Sequence, residues 1–222
     1  DTIFGDTPDT PGAGEREIFQ WGEAPGFGNN VTAGDFDQDT GNANISFAIT
    51  NESGNVTNEY ETDTQVTDGL DPEVAENESF ESLLTNEGAT ATYEWSSDVP
   101  LENVEFRVND IDGDGVVRIR AFDENGDPIE VVLSEVGSDL AASDTDGVPG
   151  NDQVDSIDTD YTDDDNPIHS VLVTIPGPVA RWELIHEQDG PNASGINVTD
   201  IAFDIAQNDI GEPGDDVITG GG

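Results

Sequence analysis

The chain has 222 residues and carries 51 acidic side chains against five arginines and no lysine, a formal net charge of −46. Such a surface repels nucleic acid and anionic membrane, and it repels itself when folded unless cations neutralise it. The absence of cysteine and methionine excludes a disulfide framework, a thiolate zinc site and a cysteine nucleophile. A third of the residues are apolar and fall in clean alternating runs, which argues for a packed domain rather than a disordered acidic segment. No apolar run approaches the roughly 20 residues of a membrane helix. There is no start methionine or leader pattern, so the sequence reads as an excised fragment of a longer protein.

Residues 1–14 read as a repeat-like remnant followed by a Pro/Gly linker, residues 15–206 as one β-sandwich domain, and residues 207–222 as the start of a repeat array. The alternation predicts strands over 18–21, 43–50, 90–96, 103–109, 116–122, 129–133, 170–175, 179–186 and 195–204. Residues 51–77 read as a long polar loop with one strand at 60–66, and residues 80–84 as one helical turn. Residues 137–166 read as a second acidic loop. Two hairpins are expected, one turning at 110–115 and one at Asn125-Gly126. A third joins 170–175 to 179–186 through Pro176-Gly177-Pro178. At least eight strands without a long helix argue for an all-β, antiparallel sandwich of jelly-roll type.

The stretch Asp110-Ile111-Asp112-Gly113-Asp114-Gly115 places three carboxylates at alternate positions around a glycine bend, the first half of a calcium loop. An EF-hand needs a carboxylate at the twelfth position, but Ala121 stands there. The expectation is therefore a calcium loop at a sandwich corner, with Asp123 or a carbonyl supplying the missing ligand. A solvated acidic turn is the other reading. Asp144 and Asp146, with Asn151-Asp152, form a second candidate calcium site. At the C-terminal end Gly211, Gly214, Asp216 and Ile218 fall in register with the calcium β-roll repeat G-G-x-G-x-D-x-U-x, with Glu212 in place of the second glycine. The run Asp163-Asp164-Asp165 reads as solvated.

By strand parity Arg107, Arg118, Arg120 and Arg181 point to outer faces. Together they would make a basic patch able to grip a carboxylated or sulfated glycan. Cross-strand pairing with Glu105, Glu183 and Glu94 is the favoured alternative. Trp21, Trp95 and Trp182 are read mainly as core rather than as a sugar-stacking platform. His169 and His186, the only histidines, are read as strand caps, although a zinc site or a general base would need them. Seven N-x-S/T sequons occur, at Asn30, Asn44, Asn51, Asn55, Asn77, Asn192 and Asn197, and none is assigned a glycan.

The segments NVEFRVNDIDGDGVVRIRAFDENGDPI, SVLVTIPGPVARWELIHEQDG and SGINVTDIAFD resemble a β-sandwich module of large secreted calcium-binding proteins of marine alphaproteobacteria, which carry RTX repeats and often a Hint domain. The resemblance spans residues 17–205. It implies type I secretion, an extracellular or cell-surface location, calcium, flanking RTX repeats in the same chain, and an adhesive or glycan-binding role. The expected function is that of a non-catalytic calcium-binding module, structural or adhesive, with extracellular polysaccharide or a cell-surface glycan as ligand. A polysaccharide-degrading enzyme or its accessory domain, and an acidic spacer of a halophilic surface protein, are the alternatives.

Overall fold

The structure is a computed structural model that describes residues 16–28 and 33–206. The repeat-like ends, with Asp216, lie outside the described residues. Fifteen strands and two short 3-10 turns (Trp21–Glu23 and Pro167–His169) make up the described chain. The strands are β1 (Glu17–Phe19), β2 (Phe36–Asp39), β3 (Asn44–Ser53), β4 (Val56–Glu61), β5 (Ser79–Leu84), β6 (Thr90–Asn109), β7 (Gly115–Phe122), β8 (Pro128–Ile129), β9 (Val132–Ser134), β10 (Leu140–Ser143), β11 (Gln153–Ser156), β12 (Val171–Ile175), β13 (Val179–Gln188), β14 (Ser194–Thr199) and β15 (Ile201–Ile205). All pairings are antiparallel, and the architecture is the expected all-β sandwich.

Strand β6 holds the two layers together. Its first half buries Ala91, Tyr93 and Trp95 at period two and pairs with β3 on one side and β13 on the other. Its second half buries Leu101, Val104, Phe106 and Val108 and pairs with β12, β15 and the end of β14. One layer therefore runs β10-β11-β7-β13-β6-β3-β2 and the other runs from β9 through β12 and β6 to β14/β15, with β5 and β4 beyond β14. The register jumps where Arg181 faces Ser96 but Val179 faces Leu101, which is where β6 passes between layers.

This crossover corrects several expectations. Residues 90–96 and 103–109 are one strand. Strands β6 and β7 do not pair with each other, because β13 lies between them, so the 110–115 segment is an arch between layers rather than a hairpin. The same holds for β12 and β13, which pair with different halves of β6. Residues 80–84 form strand β5 rather than a helical turn: Phe80, Ser82 and Leu84 are buried at period two. The polar segment after β3 folds back at Gly54 (φ 88°) into β4, which starts four residues before the strand expected at 60–66. The Asn125-Gly126 turn is a hairpin as read, with Ala121 opposite Ile129.

The core is aromatic. Trp21, Trp95 and Trp182 are all fully buried, as the reading of them as core expects. Trp95 and Trp182 are cross-strand partners whose rings stack 5.8 Å apart at 2°, and Trp21 packs against Phe80 and Phe47 at 5.2 and 5.0 Å. Aromatic pairs add to the area they bury. Trp182→Ala is expected to cost about 3–5 kcal/mol in urea denaturation, whereas Tyr161→Ala, at a ring 59% exposed, changes stability by less than about 0.5 kcal/mol.

Candidate cation sites

The arch 110–115 is fixed by backbone contacts before its carboxylates are considered. Ile111 N–H donates to the His169 carbonyl at 3.1 Å, and Gly115 N–H to the Asp112 carbonyl at 3.0 Å. Gly113 sits at φ 57°, and a Cβ there would lie 1.9 Å from the Ala193 carbonyl oxygen, so only glycine lets the arch lie against the chain at 193. Asp110 itself takes φ 55°.

The three aspartates of the arch do different things. Asp114 Oδ2 accepts from the Asn192 backbone N–H at 2.5 Å and from Asn192 Nδ2 at 2.9 Å, tying the β13–β14 connection down. Asp112 is 3% exposed and its Oδ1 accepts a long bond from Gly195 N–H at 3.4 Å. Asp110 Oδ1 is buried with no hydrogen-bond partner. Burial raises the pKa of both Asp110 and Asp112, and the Asp112 charge raises Asp110 further. The arch thus brings Asp110 and Asp112 together and sends Asp114 elsewhere. Asp123 does not complete the set: β7 separates it from the arch by eight residues, or roughly 26 Å. Its Oδ1 instead accepts from Asn125 and Asp127 N–H at 2.8 and 2.9 Å in the hairpin turn.

Two carboxylates that the sequence reading did not single out join this pair electrostatically. Asp164, read as solvated, is drawn in by Gln65 Nε2 and Asn197 Nδ2, each 3.1 Å from its Oδ2. Glu81 faces Asn197 across β5 and β14. Burial pushes its pKa up to about 7, with the charges of Glu61, Glu59, Asp164 and Asp63 adding to the shift. Burial raises Asp164 as well. Neither has a local signature, because the groups that act on them, Glu61 and Asp63 on both, and Gln65 and Asn197 on Asp164, are distant in sequence. An acidic cleft of about 280 Å³ opens beside them, lined by Asp63, Thr64 and Asp163–Asp165.

The second candidate site assembles on one hairpin. Asp144, Asp146 and Asp152 sit between β10 and β11 with carboxylate oxygens within 4.8 Å of one another. Asp144 Oδ1 accepts from Gly147 N–H at 2.9 Å, and the buried Asp152 accepts from Thr145 N–H and Oγ1, both at 2.5 Å. Among the described residues one other group converges as closely, Asp139, Asp158 and His169.

The arginines form no free patch. Arg107 is 2% exposed, contrary to its parity, and is held by Glu135, the Asp68 carbonyl and Ser170 Oγ. The loops bearing Asp68 and Glu135 cover that face of β6. Arg181 pairs across strands with Glu94 at 2.9 Å, as expected, and along its own strand with Glu183, over the Phe122 ring at 4.0 Å. Arg118 bonds Gln153 and lies 3.6 Å from Glu187. Arg120 is exposed opposite Glu183. His186 is buried between Ser82 Oγ and Ser194 Oγ, 2.9 Å from each, and burial lowers its pKa to about 3.

No family model matches the sequence, and no curated protein does. Solved structures with distant likeness are a tailspike enzymatic domain of bacteriophage CBA120 (16% identity, TM-score 0.35, 75% of this chain and 20% of that one), an exo-β-agarase (10%, 0.38, 80% and 25%) and the family 11 carbohydrate-binding module of the Clostridium thermocellum cellulase Lic26A-Cel5E (8%, 0.34, 89% and 98%). The chain spans a quarter or less of the first two. At these scores the likenesses carry no argument about function.

The buried acids set a sign for pH dependence. A carboxyl whose pKa is raised on folding holds a proton that the unfolded chain has released, so its contribution is lost as pH rises through the folded value. Glu81 and Asp200 are both raised to about 7, chiefly by burial. His186 opposes this only below its unfolded value of 6.5. Calcium-free protein is therefore expected to lose stability as pH rises from 6.5 through 7 and above, with a shallower slope in Glu81→Gln. Urea denaturation across that range is the check.

Proposed function

We propose that this chain is a non-catalytic, calcium-stabilised sandwich module of a secreted RTX-type protein, with an adhesive role toward extracellular polysaccharide. The observation that carries the reading is the Asp110–Asp112 pair, in which Asp112 is buried and Asp110 half-buried. One carboxylate oxygen has no hydrogen-bond partner, and neither residue pairs with any of the five arginines. Leaving a carboxylate buried and unpaired costs on the order of several kcal/mol. A hard divalent cation with oxygen ligands offsets that cost, and the Asp144–Asp146–Asp152 group offers it a second all-oxygen set. Folding would then be linked to external calcium and coupled to export.

The adhesive part rests on what stands beside the arch. Tyr161 and Ile157 are the exposed large apolar side chains among the described residues. The Tyr161 hydroxyl donates to the Ala193 carbonyl at 3.0 Å, holding the ring on the same segment that the arch packs against. An aromatic face beside cation-binding carboxylates suits a sugar, which offers C–H faces to the ring and hydroxyls to the metal.

At constant ionic strength, calcium at about 100 times its Kd is expected to raise the melting temperature by about 5–10 °C, and Asp110→Asn with Asp144→Asn to reduce that gain. Equal stabilisation by sodium chloride would favour a halophilic acidic surface instead. Retention on immobilised polysaccharides in calcium tests the ligand: binding lost in Tyr161→Ala supports adhesion, and silence across neutral and acidic polysaccharides supports a spacer.

A further inference from the structure

We propose that Asp139, Asp158 and His169 form a binding site for a divalent transition-metal ion of the zinc class, distinct from the all-oxygen calcium sets. The three residues come from separate places in the chain: the start of β10, the loop after β11, and the 3-10 turn before β12. Their ligand atoms nevertheless lie within 4.8 Å of one another. Backbone ties hold them there. Asp139 N–H donates to the Ile168 carbonyl at 3.2 Å, and the Asp139 carbonyl accepts from Ile157 N–H at 2.9 Å. Asn166 caps the turn by accepting from Ile168 N–H, with Pro167 in its first position, as the start of a helical turn favours. At Gly137 a Cβ would fall 2.0 Å from the Ile168 carbonyl oxygen, so a glycine is what lets the 137–139 segment lie against the turn.

The two histidines of this chain form an internal comparison. His186 has both ring nitrogens in hydrogen bonds to serine hydroxyls, as a packed structural histidine should. His169 is equally buried, but only its Nδ1 has a partner, Thr162 Oγ1 at 3.1 Å. Its Nε2 is buried with no hydrogen-bond partner and points toward Asp158 Oδ1 at 3.5 Å. In the tautomer where Nδ1–H donates to Thr162, Nε2 presents a lone pair to two carboxylates. That is the arrangement in which a hydroxyl orients a metal-bound imidazole. Ligand atoms around a tetrahedral zinc at about 2.0–2.1 Å lie roughly 3.3 Å apart, close to the 3.5 Å between His169 Nε2 and Asp158 Oδ1, with the Asp139 ligand atom within 4.8 Å of both. Calcium takes oxygen ligands, whereas an imidazole nitrogen among carboxylates suits zinc and its neighbours.

The test is zinc binding by chelator-treated protein in excess calcium, followed by calorimetry, with cobalt absorption reporting nitrogen coordination. One zinc per chain is expected, weakened about tenfold or more in Asp158→Asn and by about 10–100-fold in Thr162→Val, unchanged in Asp144→Asn, and with the cobalt band lost in His169→Gln. The Asp158 and Thr162 variants alter partly exposed side chains, so they keep the test informative if the buried histidine variant fails to fold. Absence of stoichiometric zinc binding, or zinc affinity unchanged in Asp158→Asn and Thr162→Val, would overturn the assignment and leave an ordinary polar contact between His169 and Asp158.

Discussion

The chain carries 51 carboxylate side chains against five guanidinium groups, and four of those five are engaged in ion pairs. Arg16 pairs with Glu105, Arg107 with Glu135, Arg118 with Glu187, and Arg181 with Glu94 and Glu183. These pairs pin loops and strand faces, but they leave the acids of the 110–115 arch and of the 158–166 loop without an arginine partner. Where such acids are exposed, water screens them. Where the fold buries or half-buries a carboxylate, as at Asp112, Asp110 and Glu81, the choice lies between a proton and a cation, and the raised pKa values express that choice.

The topology explains why acids are buried at all. Because β6 serves both layers, the chain crosses between layers at the 110–115 arch and again between β12 and β13. The first crossing is held by Asp114 bonding Asn192 and by Gly113 lying against Ala193. The same contacts drive Asp110 and Asp112 inward against Gly195. Structural cross-tie and proposed cation site are therefore one segment, so a cation that neutralised the pair would also fasten the two layers. The hairpin bearing Asp144, Asp146 and Asp152 lies at the far edge of one layer, where a cation would rigidify a loop rather than join sheets.

Period-two alternation made most strands, the aromatic core and the Asn125-Gly126 hairpin legible in the sequence. Pairing partners were less legible, because alternation says which face a residue takes and not which strand lies beside it. Two adjacent strands joined by a short loop read as a hairpin, although here β13 or the layer crossing intervenes. Arg107 illustrates the same limit: its parity is outward, but loops at 68 and 135 fold over that face. Asp144 and Asp146 were found by spacing and meet Asp152 on one hairpin. Glu81, Asp139, Asp158 and Asp164 carried no local signal, since segments distant in sequence create their surroundings. His169 was read as a strand cap, and nothing near it in the chain reveals that Asp139 reaches it.

Proton release on calcium binding tests the central claim most directly. If the Asp110–Asp112 pair holds a proton until a cation replaces it, calcium added to weakly buffered, calcium-free protein near neutral pH displaces that proton. The release should approach one proton per chain and disappear in Asp110→Asn. Calcium binding with no proton release, or with release unchanged in Asp110→Asn, would contradict the account and place the bound calcium on surface carboxylates that were already ionised.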